Sequence, residues 1–220
     1  FIAVYSILIS LLFVPNAIQC QEVVTTRDIG IWAGVGVRYD LNKRWDTFLL
    51  QEFRTVDNAI QLGQSITDIG LSYRINGAFK LGGGLRYSYD RKKNGNFTND
   101  IRYNLDFKFK HSFGKRFSFH YRLRYQHNYE DLFTFVPEIE EKSNLRNRIK
   151  IQYDLKKQDL YFSAELFREF ITYKKPEFNS LRLAIGDDFK TGIGEFKTGL
   201  AYERELNTAY PLNFFFLKLN

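Results

Sequence analysis

The chain has 220 residues, 44% hydrophobic and 17% aromatic, with a formal charge of +7 and a single cysteine. That length suits one domain, and no Pro/Ser-rich linker divides it, so the reading is a single folded unit. Its basic residues are scattered a few per segment instead of gathered into a patch, which argues against a nucleic-acid surface, and with only three histidines and one cysteine the sequence shows no His/Cys metal-ligand cluster.

The first segment, "FIAVYSILISLLFVPNAIQC", is apolar up to Pro15 and then small or polar. It resembles the hydrophobic region and cleavage site of a secretory signal peptide, with cleavage expected between Cys20 and Gln21. A spanning helix needs about 20 apolar residues, more than the run before Pro15 supplies. Residues 1–20 are therefore read as an export signal and 21–220 as the mature domain.

From residue 29 onward a period-2 alternation recurs in eleven segments: 29–39, 44–55, 65–75, 79–90, 98–110, 116–130, 143–154, 159–170, 179–190, 195–206 and 211–220. A strand sends successive side chains to opposite faces, whereas a helix would scatter them around a cylinder, so each segment is a strand candidate. In "RFSFHYRLRYQHNYE", residues 116–130, Phe117, Phe119, Tyr121, Leu123, Tyr125, His127 and Tyr129 form one face, while Arg122, Arg124 and His120 lie on the other. About 13 residues at roughly 3.3 Å each, tilted near 45°, cross about 30 Å, a hydrocarbon thickness. Short turns ("DLNKR", "INGAF", "SFGK", "LKKQD", "KTGIG") interleave with longer polar loops, giving a meander of hairpins.

A soluble barrel turns its apolar face inward and a membrane barrel turns it to lipid. Long strands, loops short at one end and long at the other, and Tyr and Phe near strand ends favour lipid; ten or more strands would also enclose a wide interior that apolar groups alone would leave void. Matching polar faces across the short turns sets Arg38 opposite Asp46, Asp68 opposite Arg86, Asp106 opposite Arg122, Arg148 opposite Glu165, and Arg182 opposite Glu203. Arg102, Arg124 and Arg146 join them as lumen residues. The expected lumen is filled by charged side chains and is narrow or closed.

Little in the sequence points to catalysis. His120 shares a face with Ser118, but a hydrolase needs an activated serine with its base in turn oriented by a third group, and none is evident. His111 and Ser112 point to opposite faces, and His127 belongs to the lipid-facing set, where an interfacial girdle role is expected. Glu165 and Glu169 share a face, yet an arginine opposite Glu165 suits a structural carboxylate better than an acid catalyst. "AGVGV" and "LGGGL" are not followed by a helix, so they offer no phosphate-binding helix terminus and are read as sites of curvature or close packing. The loop of residues 130–142 combines Leu132, Phe133, Phe135 and Val136 with a run of acids, marking it as a candidate contact for a partner or a divalent ion, with a solvated loop as the plainer alternative.

The early Trp strand "DIGIWAGVGVRYDLNKRW", the following "LLQEFRT", the "GLSYRI" and "GGGLRYSY" hairpins, "LRNRIKIQYDL", and "AELFREF" ahead of "SLRLAIGDDF" resemble the DUF2490 family of Bacteroidetes outer-membrane proteins. The resemblance implies an exported β-barrel in a Gram-negative outer membrane and carries no activity to particular residues. Bacterial barrels usually have an even strand number, so the expectation is an all-β, up-and-down transmembrane barrel of 12 strands, with 10 as the alternative. It is expected to be a monomer surrounded by outer-membrane lipid, with no cofactor, metal or nucleic acid. The functional expectation is a non-enzymatic structural barrel or narrow solute pore, and the alternative is a lipid-modifying barrel enzyme.

Overall fold

The computed structural model describes residues 26–92, 95–129, 142–171, 175–192 and 194–220. The expected signal segment and all but Lys142 of the acidic loop 130–142 lie outside them. Eleven strands follow one another: β1 (Thr26–Asp40), β2 (Trp45–Val56), β3 (Gln61–Arg74), β4 (Phe79–Arg91), β5 (Phe97–Phe113), β6 (Phe117–Tyr129), β7 (Lys142–Asp154), β8 (Gln158–Ile171), β9 (Glu177–Lys190), β10 (Glu195–Glu205) and β11 (Leu212–Leu219). Each alternating segment of the sequence is one of these strands, because side chains that alternate in polarity residue by residue are separated onto two faces by a strand and not by a helix.

Neighbouring strands pair antiparallel, and the sheet closes on itself where β1 meets β11. Among the described residues the count is eleven, close to the twelve expected but odd, and the closure carries the consequence. In a meander the first and last strands of an odd set run the same way, so β1 and β11 pair in parallel, Thr26 with Leu212 through Ala33 with Leu219. Residues Gly34–Asp40 of β1 pair only with β2.

Short turns hold one end of the barrel by a repeated device. The Asn42 side-chain oxygen accepts hydrogen bonds from the amides of Arg44 and Trp45, and Asn76 does the same for Ala78 and Phe79, the local mimicry of a turn at which Asn excels. At the other end Asp57, Asn58 and Ala59 all adopt left-handed backbone conformations (φ 55, 56 and 65°). The Asp28 carboxylate of β1 accepts hydrogen bonds from the amides of Asp57 and Asn58 and clips that turn in place.

The molecule is inverted relative to a soluble domain. Among the described residues six apolar side chains are buried against sixteen polar or charged ones, whereas outward-facing Val35, Leu200 and Ile185 are 72%, 63% and 62% exposed. Aromatic pairs ring both ends of this apolar band: Trp45 with Tyr73 and Phe117 with Tyr153 at the short-turn end, Tyr89 with Phe97 and Tyr202 with Phe215 at the other. His127 belongs to the second ring. It hydrogen-bonds Ser143 Oγ at 2.7 Å through Nδ1 and stacks on Tyr103.

Candidate functional site: the charged lumen

The inward faces of the strands bring arginines and carboxylates together in the centre of the barrel. Asp68 on β3 stands opposite Arg86 on β4, which donates to it from Nε at 2.8 Å and from Nη2 at 2.5 Å. Arg182 on β9 stands opposite Glu203 on β10 and donates from Nε at 2.7 Å. Such bidentate and charge-assisted contacts fix orientation as well as register.

Two expected pairings are corrected. Arg38 faces Phe48, not Asp46; Asp46 lies opposite Asp40 and is instead ion-paired with Lys80 on β4. Asp106 faces Arg124, which binds it at 2.5 and 2.7 Å, while Arg122 reaches Glu165 at 2.7 Å. Turn geometry displaces both registers by two residues. Leu41 N bonds to Trp45 O to close the first hairpin, and Gly114, left-handed at φ 67°, begins the three-residue turn of the other. A two-residue slip preserves the face of every side chain and changes only its partner.

Glu165 is where the arginines converge. Although Arg148 is its cross-strand neighbour, the carboxylate contacts Arg122 at 2.7 Å, Arg146 at 2.9 Å and Arg182 at 3.8 Å. Among the described residues Arg148 makes no ion pair. Arg146 also donates to Gln126 Oε1 at 2.6 Å. Arg102, opposite Arg86, has a buried Nε without an acceptor among the described residues. Glu169 lies away from this centre, opposite Glu177 towards the long-loop end.

An aromatic wall inside the lumen was not anticipated. Trp32 on β1 stacks on Phe216 of β11 at 3.8 Å between centroids, with Phe214 beside both. Arg54, itself paired with Glu52, lies 3.7 Å over the indole, and Arg182 and Lys218 approach within 5.1 Å. Phe167 offers its face to Arg146 and Arg182. The parity of Trp32, Phe167, Phe214 and Phe216 along their strands carried the signal, since each sits on the polar set of its segment. Two bulges, at Arg54/Thr55 and at Phe167/Arg168, re-aim strands at this wall.

Inward glycines are the counterpart of large inward rings. Phe48 lies across Gly70 and Tyr161 across Gly186, their direct cross-strand neighbours. A Cβ on Gly186 would stand 2.6 Å from Tyr161 Oη. These are close-packing positions.

The Ser118 and His120 side chains are bonded, Oγ to Nε2 at 2.9 Å. They face the lumen near the short-turn end, where His120 shares a cavity wall with Lys80, Lys108, Lys110 and Arg148. No carboxylate bonds the His120 ring among the described residues, so the orienting third member of a catalytic triad is lacking there. Among the described residues no group of three or more His, Cys, Asp or Glu side chains is placed to hold a metal ion, and no helix is long and apolar enough to cross a membrane, which says nothing of a barrel that crosses with strands.

A family model described as a protein of unknown function, DUF2490, matches residues 29–205. No curated protein matches the chain. Among solved structures it is similar to the β-domain of the Bordetella autotransporter BrkA, with 11% sequence identity, a TM-score of 0.44, and coverage of 84% of this chain and 86% of that one.

Proposed function

The chain belongs to the DUF2490 family of proteins of unknown function, and from that premise we propose that it is a non-enzymatic barrel of a Gram-negative outer membrane, with a lumen filled by side chains, serving as a structural element or a narrow solute pore. The observation that carries this reading is the inversion of polarity: an exposed apolar band bounded by aromatic rings encloses a charged interior. Export by residues 1–20, a monomeric state and a surround of outer-membrane lipid belong to the same proposal. The ion pairs among Arg86, Asp68, Arg124, Asp106, Arg182, Glu203 and Glu165 support closure, because groups that satisfy one another across the lumen need no water column. The test is fractionation followed by planar-bilayer recording of the purified protein. The expected result is recovery with the outer membrane, a need for detergent, and no large stable conductance; a soluble product, or a wide and steady pore, overturns it.

The bonded Ser118 and His120 favour a second reading, a lipid-modifying barrel enzyme. Turnover of phospholipid that is abolished by Ser118→Ala, with the barrel still folded, is the result that would establish it.

A further inference from the structure

The mid-lumen cavity, about 350 Å³, is strongly unbalanced in charge. Nine basic side chains line it, eight arginines and Lys218. Among the described residues the carboxylates in contact with them number five, Glu52, Asp68, Asp106, Glu165 and Glu203. Nine against five leaves an excess of basic side chains.

The ladder makes the imbalance worse. Arg86 stands opposite Arg102, Arg122 opposite Arg148, and Arg124 opposite Arg146. Like charges placed directly opposite one another destabilise a sheet, and poor access to water raises that cost. Among the described residues the buried Nε groups of Arg102 and Arg122 have no acceptor, although a buried donor without a partner is costly. An excess of one sign facing one cavity, with donors left over, describes a site suited to an anion.

We propose that this cavity binds a small, multiply charged oxyanion of the phosphate-ester or polyphosphate class. The planar fork of arginine matches phosphate oxygens two at a time, and a single carboxylate would leave most of the excess uncompensated. The approach is polarised. Arg122 and Arg148 also line the short-turn-end cavity, about 400 Å³, together with Arg38, Arg74 and Lys110. The cavity at the other end is walled by Glu169, Glu177, Glu203 and Glu205. An anion is drawn in from the short-turn end and repelled from the long-loop end, as fields focused by low-dielectric walls require.

This site deepens the filled-barrel proposal and rests on it for a lumen that does not conduct freely. The test is calorimetric titration of the full chain, folded in detergent with its β-structure verified by circular dichroism, with inorganic pyrophosphate at about 0.15 M salt, where surface charges are screened. Saturable binding is expected. Arg102→Gln and Arg148→Gln, neither of which breaks an ion pair among the described residues, weaken it roughly tenfold or more, while Lys43→Gln on an outer turn leaves it unchanged. Either variant suffices if the other does not fold. Absence of binding by the folded protein, or equal weakening by Lys43→Gln, overturns the site. A barrel that conducts as a wide pore yet still binds pyrophosphate sinks the closed-lumen reading and keeps the site, whereas a closed barrel that binds nothing sinks the site alone.

Discussion

Glu165 draws the guanidinium groups of Arg122, Arg146 and Arg182 onto one buried carboxylate. Removing one partner from a buried cluster leaves charges that neither water nor protein compensates, at a typical cost of about 3–5 kcal/mol. Glu165→Gln is therefore expected to destabilise the barrel by about that amount, read as a shift in the denaturant midpoint in micelles. Glu195→Gln, which breaks the exposed pair with Lys197, is expected to cost no more than about 1 kcal/mol; equal effects would show that the Glu165 cluster is as well hydrated as the surface. Trp32 tests a different force at the same depth. Its ring is sandwiched between Phe216 and the Arg54 guanidinium, so Trp32→Ala leaves a cavity and removes both contacts, with an expected loss of about 3–5 kcal/mol. Trp45→Ala in the outer ring, half exposed beside Tyr73, should cost clearly less in the same unfolding experiment.

Between strands, packing depends on pairing a glycine with a ring. Phe48 covers Gly70, so that a Cβ there would press 2.7 Å from Phe48 Cζ and 3.0 Å from Gly83 O. Gly70→Ala is expected to destabilise by about 1–3 kcal/mol. Because Phe48 is the clashing group, Phe48→Leu should recover part of that loss, giving a coupling of about 0.5 kcal/mol or more in a double-mutant cycle; strictly additive losses would place the strain in the backbone. The same strands show what a sequence discloses. Period-2 alternation was enough to find all eleven of them and the face each presents, because polarity records surroundings directly. Partners were harder. Asp68 with Arg86 and Arg182 with Glu203 could be paired from number alone, but Asp106 went to Arg124 because the length of the turn at Gly114 decides a two-residue step that polarity cannot see. The convergence on Glu165 was hidden for another reason. Arginine is long enough to bypass its neighbour across the ladder, so Arg146 and Arg122 reach it while Arg148, directly opposite, does not.

Closing the sheet makes each strand's choice of face a property of the barrel, and that allows the membrane reading to be tested without knowing any ligand. Ile185 and Leu200 are cross-strand neighbours on the outside of β9 and β10, both well exposed. On the adjoining inward positions Ala184 and Ala201 pack in the aromatic wall with Trp32 and Phe216. In water, Ile185→Lys would relieve an exposed apolar side chain and should be neutral or mildly stabilising. In a bilayer the same change places an ammonium against hydrocarbon, at about 2–4 kcal/mol near the midplane and much less near the interfaces. Refolding into phospholipid vesicles should therefore show that penalty for Ile185→Lys and a smaller one for Phe189→Lys, closer to the short-turn ring. The gradient is the discriminating quantity. A soluble barrel has no reason to rank two exposed outward sites by their height along a strand, whereas a lipid-facing band must, so equal and negligible costs at both positions would remove the membrane from the account and leave only a charged, closed barrel.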